Sequence, residues 1–198
     1  MDIAFSEIGF PARIHPERPL TDEALLRFCA KNEPMQVERE PNGDLIIMSP
    51  TWSDTSSKNS NLNYQLYKWA DETGSGKVFE SNAGFNLPDG SMRSPDAAWI
   101  SWSVWNALSP DRQRGFARVC PQFVVELRSA SDVLVKVQEK MQQWIANGAE
   151  LGWLIDPENK TVEVYRPGRE PEVLEGGSMV EGEGPVAGFV LELGRIWG

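Results

Sequence analysis

Asp96 and Glu126 are separated by 29 residues, each at the edge of or within a short apolar run, and Lys140 follows on a segment of helical periodicity. Two carboxylates and an ammonium brought to one end of a sheet are suited to phosphodiester cleavage. Mg²⁺ or Mn²⁺ selects hard oxygen ligands, and a bound divalent ion acidifies water that a neighbouring cation can steer. Period-two geometry over Gln122 to Arg128 puts Glu126 and Arg128 on one face with Val124, and Phe123, Val125 and Leu127 on the other. A carboxylate on an apolar face is costly unless it is paired or bound to metal, so Glu126 requires a partner, Arg128 being the simplest.

Asp96 follows Pro95, whose ring fixes its own φ and holds the preceding residue extended. Asp96, Ala98 and Ile100 then share a strand face, and the small Ala97 and Ala98 leave room for a ligand or another backbone. A turn-capping aspartate is the plainer account of the same dipeptide. Val133, Val137, Lys140, Met141 and Trp144 recur at i, i+4, i+7, i+8 and i+11, so Lys140 lies in the apolar stripe of a helix. It either snorkels its ammonium to the edge or reaches the acids, where it can orient or deprotonate water, because burial lowers a lysine's pKa. Arg128 is too basic for that role, and Lys136 is a weaker substitute.

The elements that must deliver these residues are legible in outline. Thr21 caps a short helix, and residues 35–48 read as a hairpin turning at Asn42-Gly43. Asp54 to Glu72 is helical, with Leu62, Leu66, Trp69 and Ala70 in register. Lys77 to Ser81, Gly84 to Leu87 and Pro95 to Ile100 read as strands, with Pro88-Asp89-Gly90 turning between the last two. In the second half come strand Gln122 to Arg128, helix Val133 to Asn147 stopped by Gly148, strand Leu151 to Asp156, and a hairpin into Thr161 to Arg166. A strand, a helix and a further strand imply a crossover, and the hairpin makes the sheet mixed. Glu175 to Pro185 reads as an exposed loop, and Phe189 to Leu193 with Ile196-Trp197 as a closing element.

Composition narrows the function classes. The 198 residues, 40% hydrophobic and without an apolar run of about 18, describe one domain, residues 1–198, with no membrane span. Met1 to Arg18 lacks a basic and an apolar region, so the expectation is a cytoplasmic protein. Two cysteines, Cys29 and Cys120, and a single histidine, His15, argue against a Cys/His zinc site. The net charge of −10 opposes non-specific gripping of nucleic acid, unless basic residues such as Arg112, Arg114 and Arg118, or Lys58 and Lys68, gather locally.

Ser94-Pro-Asp96 followed by Glu126-Leu127-Arg128 resembles the bipartite signature of the PD-(D/E)XK nuclease superfamily. There Asp and Glu bind Mg²⁺ and a lysine two residues further on assists the nucleophile; here that position is Arg128. The stretches Arg93-Ser-Pro-Asp-Ala-Ala-Trp-Ile100, Val125-Glu-Leu-Arg-Ser129, Gln138-Glu-Lys-Met141 and Leu151-Gly-Trp-Leu-Ile-Asp-Pro157 are similar to one branch, the Uma-two family of restriction endonuclease-like proteins. The resemblance runs from about Thr21 to Ile196. It implies an α/β (α+β) fold with a restriction-endonuclease-like central mixed sheet flanked by helices, preceded by a helix and hairpin.

The same resemblance implies a lysine moved onto the following helix, matching Lys140, and an early acid completing the site, best matched by Glu38. Glu40, two residues along, and Glu80 are the other acids in reach of that role. The expected activity is Mg²⁺- or Mn²⁺-dependent DNA endonuclease: Asp96, Glu126 and Glu38 as metal ligands, Lys140 positioning the nucleophile. The alternative is an inactive nuclease-like scaffold that binds a nucleic acid or protein partner. A third reading is a purely structural subunit of a larger assembly, a homodimer for instance, with Trp99, Trp102 and Trp105 as its dimer face, although core packing accounts for most of the eight tryptophans.

Overall fold

A strand buried on both faces is apolar almost throughout rather than alternating. Phe123–Leu127 and Leu151–Asp156 are of this kind, buried at every position. The computed structural model in which they are seen describes residues 11–48 and 52–197; most of the Met1 to Arg18 segment considered above as a leader lies outside them.

The described elements run β1 (Ala12–Ile14), α1 (Asp22–Lys31), β2 (Gln36–Arg39), β3 (Leu45–Met48) and the long α2 (Ser53–Thr73). Next come β4 (Gly76–Glu80), β5 (Phe85–Asn86), β6 (Met92–Arg93), β7 (Ala97–Ser101) and the short helices α3 (Trp102–Ala107) and α4 (Pro110–Gln113). The second half contains β8 (Phe123–Leu127), α5 (Leu134–Ala146), β9 (Leu151–Asp156), β10 (Thr161–Tyr165), β11 (Glu172–Glu175), β12 (Met179–Glu181), β13 (Val190–Glu192) and α6 (Gly194–Trp197).

Six strands form the central sheet in the order β11-β10-β9-β8-β7-β4. β8 and β9 are parallel and joined through α5, as a parallel pair requires; the other neighbours are antiparallel. The expected mixed sheet with flanking helices is therefore present. On one face Leu62, Leu66 and Ala70 of α2 pack with Phe123, Val125 and Trp153, and Phe189, Leu191 and Ile196 complete that layer. On the other face Met141 and Trp144 of α5 pack with Ala98, Val124 and Leu154. Each such side chain withdrawn from water is worth about 1.5–3 kcal/mol. This clamps α5 against β8 and β9 and α2 beneath β7.

A second, antiparallel sheet, β1-β3-β2-β6-β5, packs under α1 through Leu25, Val37, Leu45, Ile47 and Met92. The hairpin expected at Asn42-Gly43 is its β2–β3 turn, and Gly43 has the positive φ of 92° that such a turn asks of glycine.

Four expectations change. Pro88-Asp89-Gly90 joins β5 to β6 rather than to the strand of Ala97; β6 is two residues long and shows no periodicity to read. The Glu175 to Pro185 region is not wholly loop, since Met179–Glu181 pairs with β13; only Val180 of β12 is buried, which leaves little apolar pattern. Val133 is not part of the helix stripe but the exposed residue before α5. Trp99, Trp102 and Trp105 form no common face, because α3 starts at Trp102: Trp99 and Trp105 are buried and Trp102 is exposed.

The suggested basic face is largely engaged elsewhere: Arg118 pairs with Asp22, Arg112 donates to the Arg118 carbonyl, and Lys68 lies 3.9 Å from Glu72. Among the described residues no helix is long and apolar enough to cross a membrane.

Candidate active site

The antiparallel register Ala97↔Val125 sets the residue before β7 beside the end of β8. Asp96 is thereby held between two elements: the Leu127 amide donates to its Oδ2 at 2.7 Å, and Asn59 Nδ2 of α2 donates to its Oδ1 at 2.7 Å. Asn63, one helical turn along, donates to the Asp96 carbonyl at 2.9 Å.

Glu126 points to the α5 side of the sheet, as the strand periodicity requires. Trp144 Nε1 donates to its Oε1 at 2.8 Å, and Lys140 Nζ lies 3.0 Å from both Oε1 and Oε2. The partner of Glu126 is thus Lys140. Arg128, at the conventional lysine position, turns to the neighbouring strand and binds Asp156 at 2.6 Å.

Lys140 also donates to the Ser94 carbonyl at 2.8 Å and to Glu38 Oε1 at 2.8 Å. Glu38 arrives from β2 of the other sheet, so the site lies where the two sheets meet. Ser94 N donates to Glu38 at 3.1 Å, and Arg93 Nη1 donates to it at 2.9 Å. Arg93 in turn grips Glu40 at 3.1 Å and Gln143 of α5 at 2.7 Å. Glu80 stands apart, exposed and accepting only from its neighbours Ser81 and Asn82. Of the three early acids, Glu38 is the one in contact with Lys140; Glu40 joins through Arg93 and Glu80 does not.

The electrostatics of the cluster are unbalanced. Burial pushes the Glu126 carboxyl up to about 8; Lys140 and the Trp144 N–H oppose the shift, while Asp96 and Glu38 reinforce it. Burial also raises Asp96, against the Leu127 amide, Lys140 and Asn59. Burial would raise Glu38 too, but Lys140 and Arg93 outweigh it and hold that carboxyl below its ordinary value. Burial alone would lower Lys140; Glu126 and Glu38 overcome this and raise it. In this arrangement Lys140 is a firm ammonium that orients and donates, not a base.

Four carboxylates, Glu38, Glu40, Asp96 and Glu126, face Lys140 and Arg93, with Arg13, itself paired to Asp44, 3.9 Å from Glu40, so full ionisation leaves at least one negative charge unmatched. A divalent ion held by oxygen ligands would restore the balance. Asn59 Oδ1, on the residue that touches Asp96, is a buried acceptor without a partner. The charge and the donor chemistry both fit Mg²⁺ or Mn²⁺. Among the described residues, though, no three acids are grouped tightly enough to hold a metal ion as they stand.

Sequence reasoning missed Arg93, Asn59 and Trp144 as members of the cluster. Asn59 carried a signal of the same kind as Lys140, since it interrupts the buried α2 stripe of Thr55, Leu62, Leu66 and Ala70. Arg93 directly precedes the Ser-Pro-Asp motif, but nothing local says that it reaches back to β2.

Asp96 before β7, Glu126 on β8 and Lys140 on α5 thus lie at one end of a mixed α/β sheet, and the comparisons with known proteins agree with that fold. The family model Uma2, described as "Putative restriction endonuclease", matches residues 22–194, and the chain belongs to this family. The structure is similar to that of a putative nuclease belonging to DUF820 from Anabaena variabilis, with a TM-score of 0.73 and 22% identity, over 90% of this chain and 98% of that one. At that identity the likeness speaks for the fold. No curated protein matches the sequence.

Proposed function

We propose that the chain is a Mg²⁺- or Mn²⁺-dependent endonuclease that hydrolyses phosphodiester bonds of DNA. The observation that carries this reading is that Lys140 of α5 joins Glu126 of β8 to Glu38 of β2, while Asp96 is held beside the end of β8 by the Leu127 amide. A fold gains little by gathering excess buried carboxylates unless a cation joins them. Asp96 and Glu126 would hold the ion, with Glu38 as a further ligand. When bound, the ion supplies charge that offsets the developing phosphorane and lowers the pKa of nearby water.

The chain's own residues supply the positioning. Trp144 and the Leu127 amide fix the two acids through one oxygen each. Arg93 and the Ser94 amide fix Glu38, and with it the far side of Lys140. Lys140, already protonated, directs its three N–H groups to the Ser94 carbonyl, Glu38 and Glu126, and would turn one of them from a carboxylate to the attacking water or a phosphoryl oxygen, a positive charge held where negative charge develops. The test is cleavage of plasmid and short DNA with Mg²⁺ or Mn²⁺ by wild type, Asp96→Ala and Lys140→Ala. Cleavage by wild type alone supports the assignment, and undiminished activity in either variant removes that residue's role.

One observation favours a second reading. Lys140 already spans both Glu126 oxygens and Glu38, so a lysine occupies the space between two prospective ligands. A scaffold that binds DNA or a protein without cutting would retain this arrangement and show no specific Mn²⁺ binding.

A further inference from the structure

A buried polar atom without a partner lowers stability, so one that persists in a fold calls for a reason. Two of the three such side-chain atoms among the described residues are Asn59 Oδ1 and Asn63 Oδ1, one turn apart on α2. Both asparagines direct their amide N–H groups to the same residue. Asn59 Nδ2 donates to Asp96 Oδ1 at 2.7 Å, and Asn63 Nδ2 donates to the Asp96 carbonyl at 2.9 Å and to the Asn59 carbonyl at 3.0 Å. Carboxylate and carbonyl oxygens only accept, so each side-chain amide must turn its nitrogen to them and its own oxygen away. The orphaned oxygens follow from what the amides hold.

The residue type says the same. Asn59 is buried on the face of α2 that carries Thr55, Leu62, Leu66 and Ala70, where leucine would extend the apolar stripe and is the better helix former. Asparagine there serves the acid rather than the helix. The other Asp96 oxygen, Oδ2, accepts from the Leu127 amide at 2.7 Å. With one donor from β8 and one from α2, the carboxylate cannot turn about its Cβ–Cγ bond without breaking a hydrogen bond. Lys140 and Trp144 hold Glu126 from α5 on one face of the sheet. Asn59 and Asn63 do the same for Asp96 from α2 on the other face.

We infer that Asn59 and Asn63 are positioning residues that fix the Asp96 carboxylate and its backbone in the orientation that binds a divalent ion, at the expense of stability. The inference rests on the reading of Asp96 as a metal ligand and extends it to α2. Partners that orient a metal ligand typically account for about 10–100-fold in metal affinity.

The experiment pairs Mn²⁺ calorimetry with urea denaturation in EDTA for wild type, Asn59→Leu and Asn63→Ala. Asn59→Leu removes the donor and the orphaned oxygen together at similar size. It should bind Mn²⁺ about tenfold or more weakly, with a urea midpoint at or above that of wild type. The electron paramagnetic resonance spectrum of its bound Mn²⁺ should also change, which a purely structural residue would leave alone. Asn63→Ala, at a half-buried position, should weaken binding about threefold or more, as loss of one hydrogen bond to the ligand's backbone does. Undiminished affinity in Asn59→Leu, with or without a lower midpoint, would overturn the inference, and Asn63→Ala decides in the same way if Asn59→Leu does not fold. No Mn²⁺ binding by wild type would overturn the metal reading and the inference with it. Binding that is lost in the Asp96→Ala, Glu126→Ala double variant but kept in both asparagine variants would strike the inference alone.

Discussion

Lys140 touches both oxygens of Glu126 and one of Glu38, so its removal changes charge as well as geometry. Lys140→Met should lower kcat on DNA by about 10²–10⁴-fold, the range typical of a lost proton-handling or orienting group. The same variant should bind Mn²⁺ at least as tightly as wild type, because a competing ammonium is gone; weaker binding would show that Lys140 supports the metal site instead of competing with it. Glu126 gives a pH signature in the metal-free protein. Its folded pKa of about 8 lies above its ordinary 4.5. Between these values the folded chain keeps a proton that the unfolded chain has lost, so stability falls as pH rises from about 5 to about 8. Thermal melts in EDTA should show that fall in wild type and a flatter profile in Glu126→Gln; identical profiles would contradict the burial-driven shift. At this scale the sequence spoke through polar residues out of place: Glu126 on an apolar face and Lys140 in an apolar stripe. The partners were another matter. Period two says which way Glu126 points but not that Lys140, rather than Arg128, would be waiting there.

The crossover β8–α5–β9 brings Glu126 and Lys140 together, and the pairing of β7 with β8 adds Asp96. Arg128 and Asp156 tie the ends of β8 and β9 at 2.6 Å, and Arg128 also donates to the Asp132 carbonyl in the turn before α5. Arg128→Met is expected to cost about 1–3 kcal/mol in chemical denaturation, as loss of a partly buried charged hydrogen bond does, with DNA cleavage per folded molecule close to wild type. A collapse of cleavage without loss of stability would instead make Arg128 part of the chemistry. Elements with unbroken apolar runs or a clear stripe, such as β8, β9, α2 and α5, are legible from sequence because burial imposes their pattern. β6 and β12 are not, because two or three residues show no period; β6 pairs with β5 across a turn and reaches β2 through Arg39↔Met92 alone, and β12 pairs with β13. That gap hid the second sheet, and with it the route by which Arg93 on β6 meets Glu38 on β2.

For the whole molecule, a net charge of −10 and a site with surplus carboxylate both predict that a divalent cation stabilises the fold. Mn²⁺ at about a hundred times its dissociation constant contributes about 2.7 kcal/mol, which for a chain of this size raises Tm by about 5–10 °C. The shift should vanish when Asp96 and Glu126 are both replaced by alanine. The most direct measurement of the central claim is Mn²⁺ binding, by calorimetry or electron paramagnetic resonance, to wild type and to that Asp96→Ala, Glu126→Ala double variant. Saturable binding in wild type that the double variant loses is the expected result. Equal binding in both proteins, or none in either, would contradict a metal centre at these acids and leave the non-cleaving scaffold as the better description.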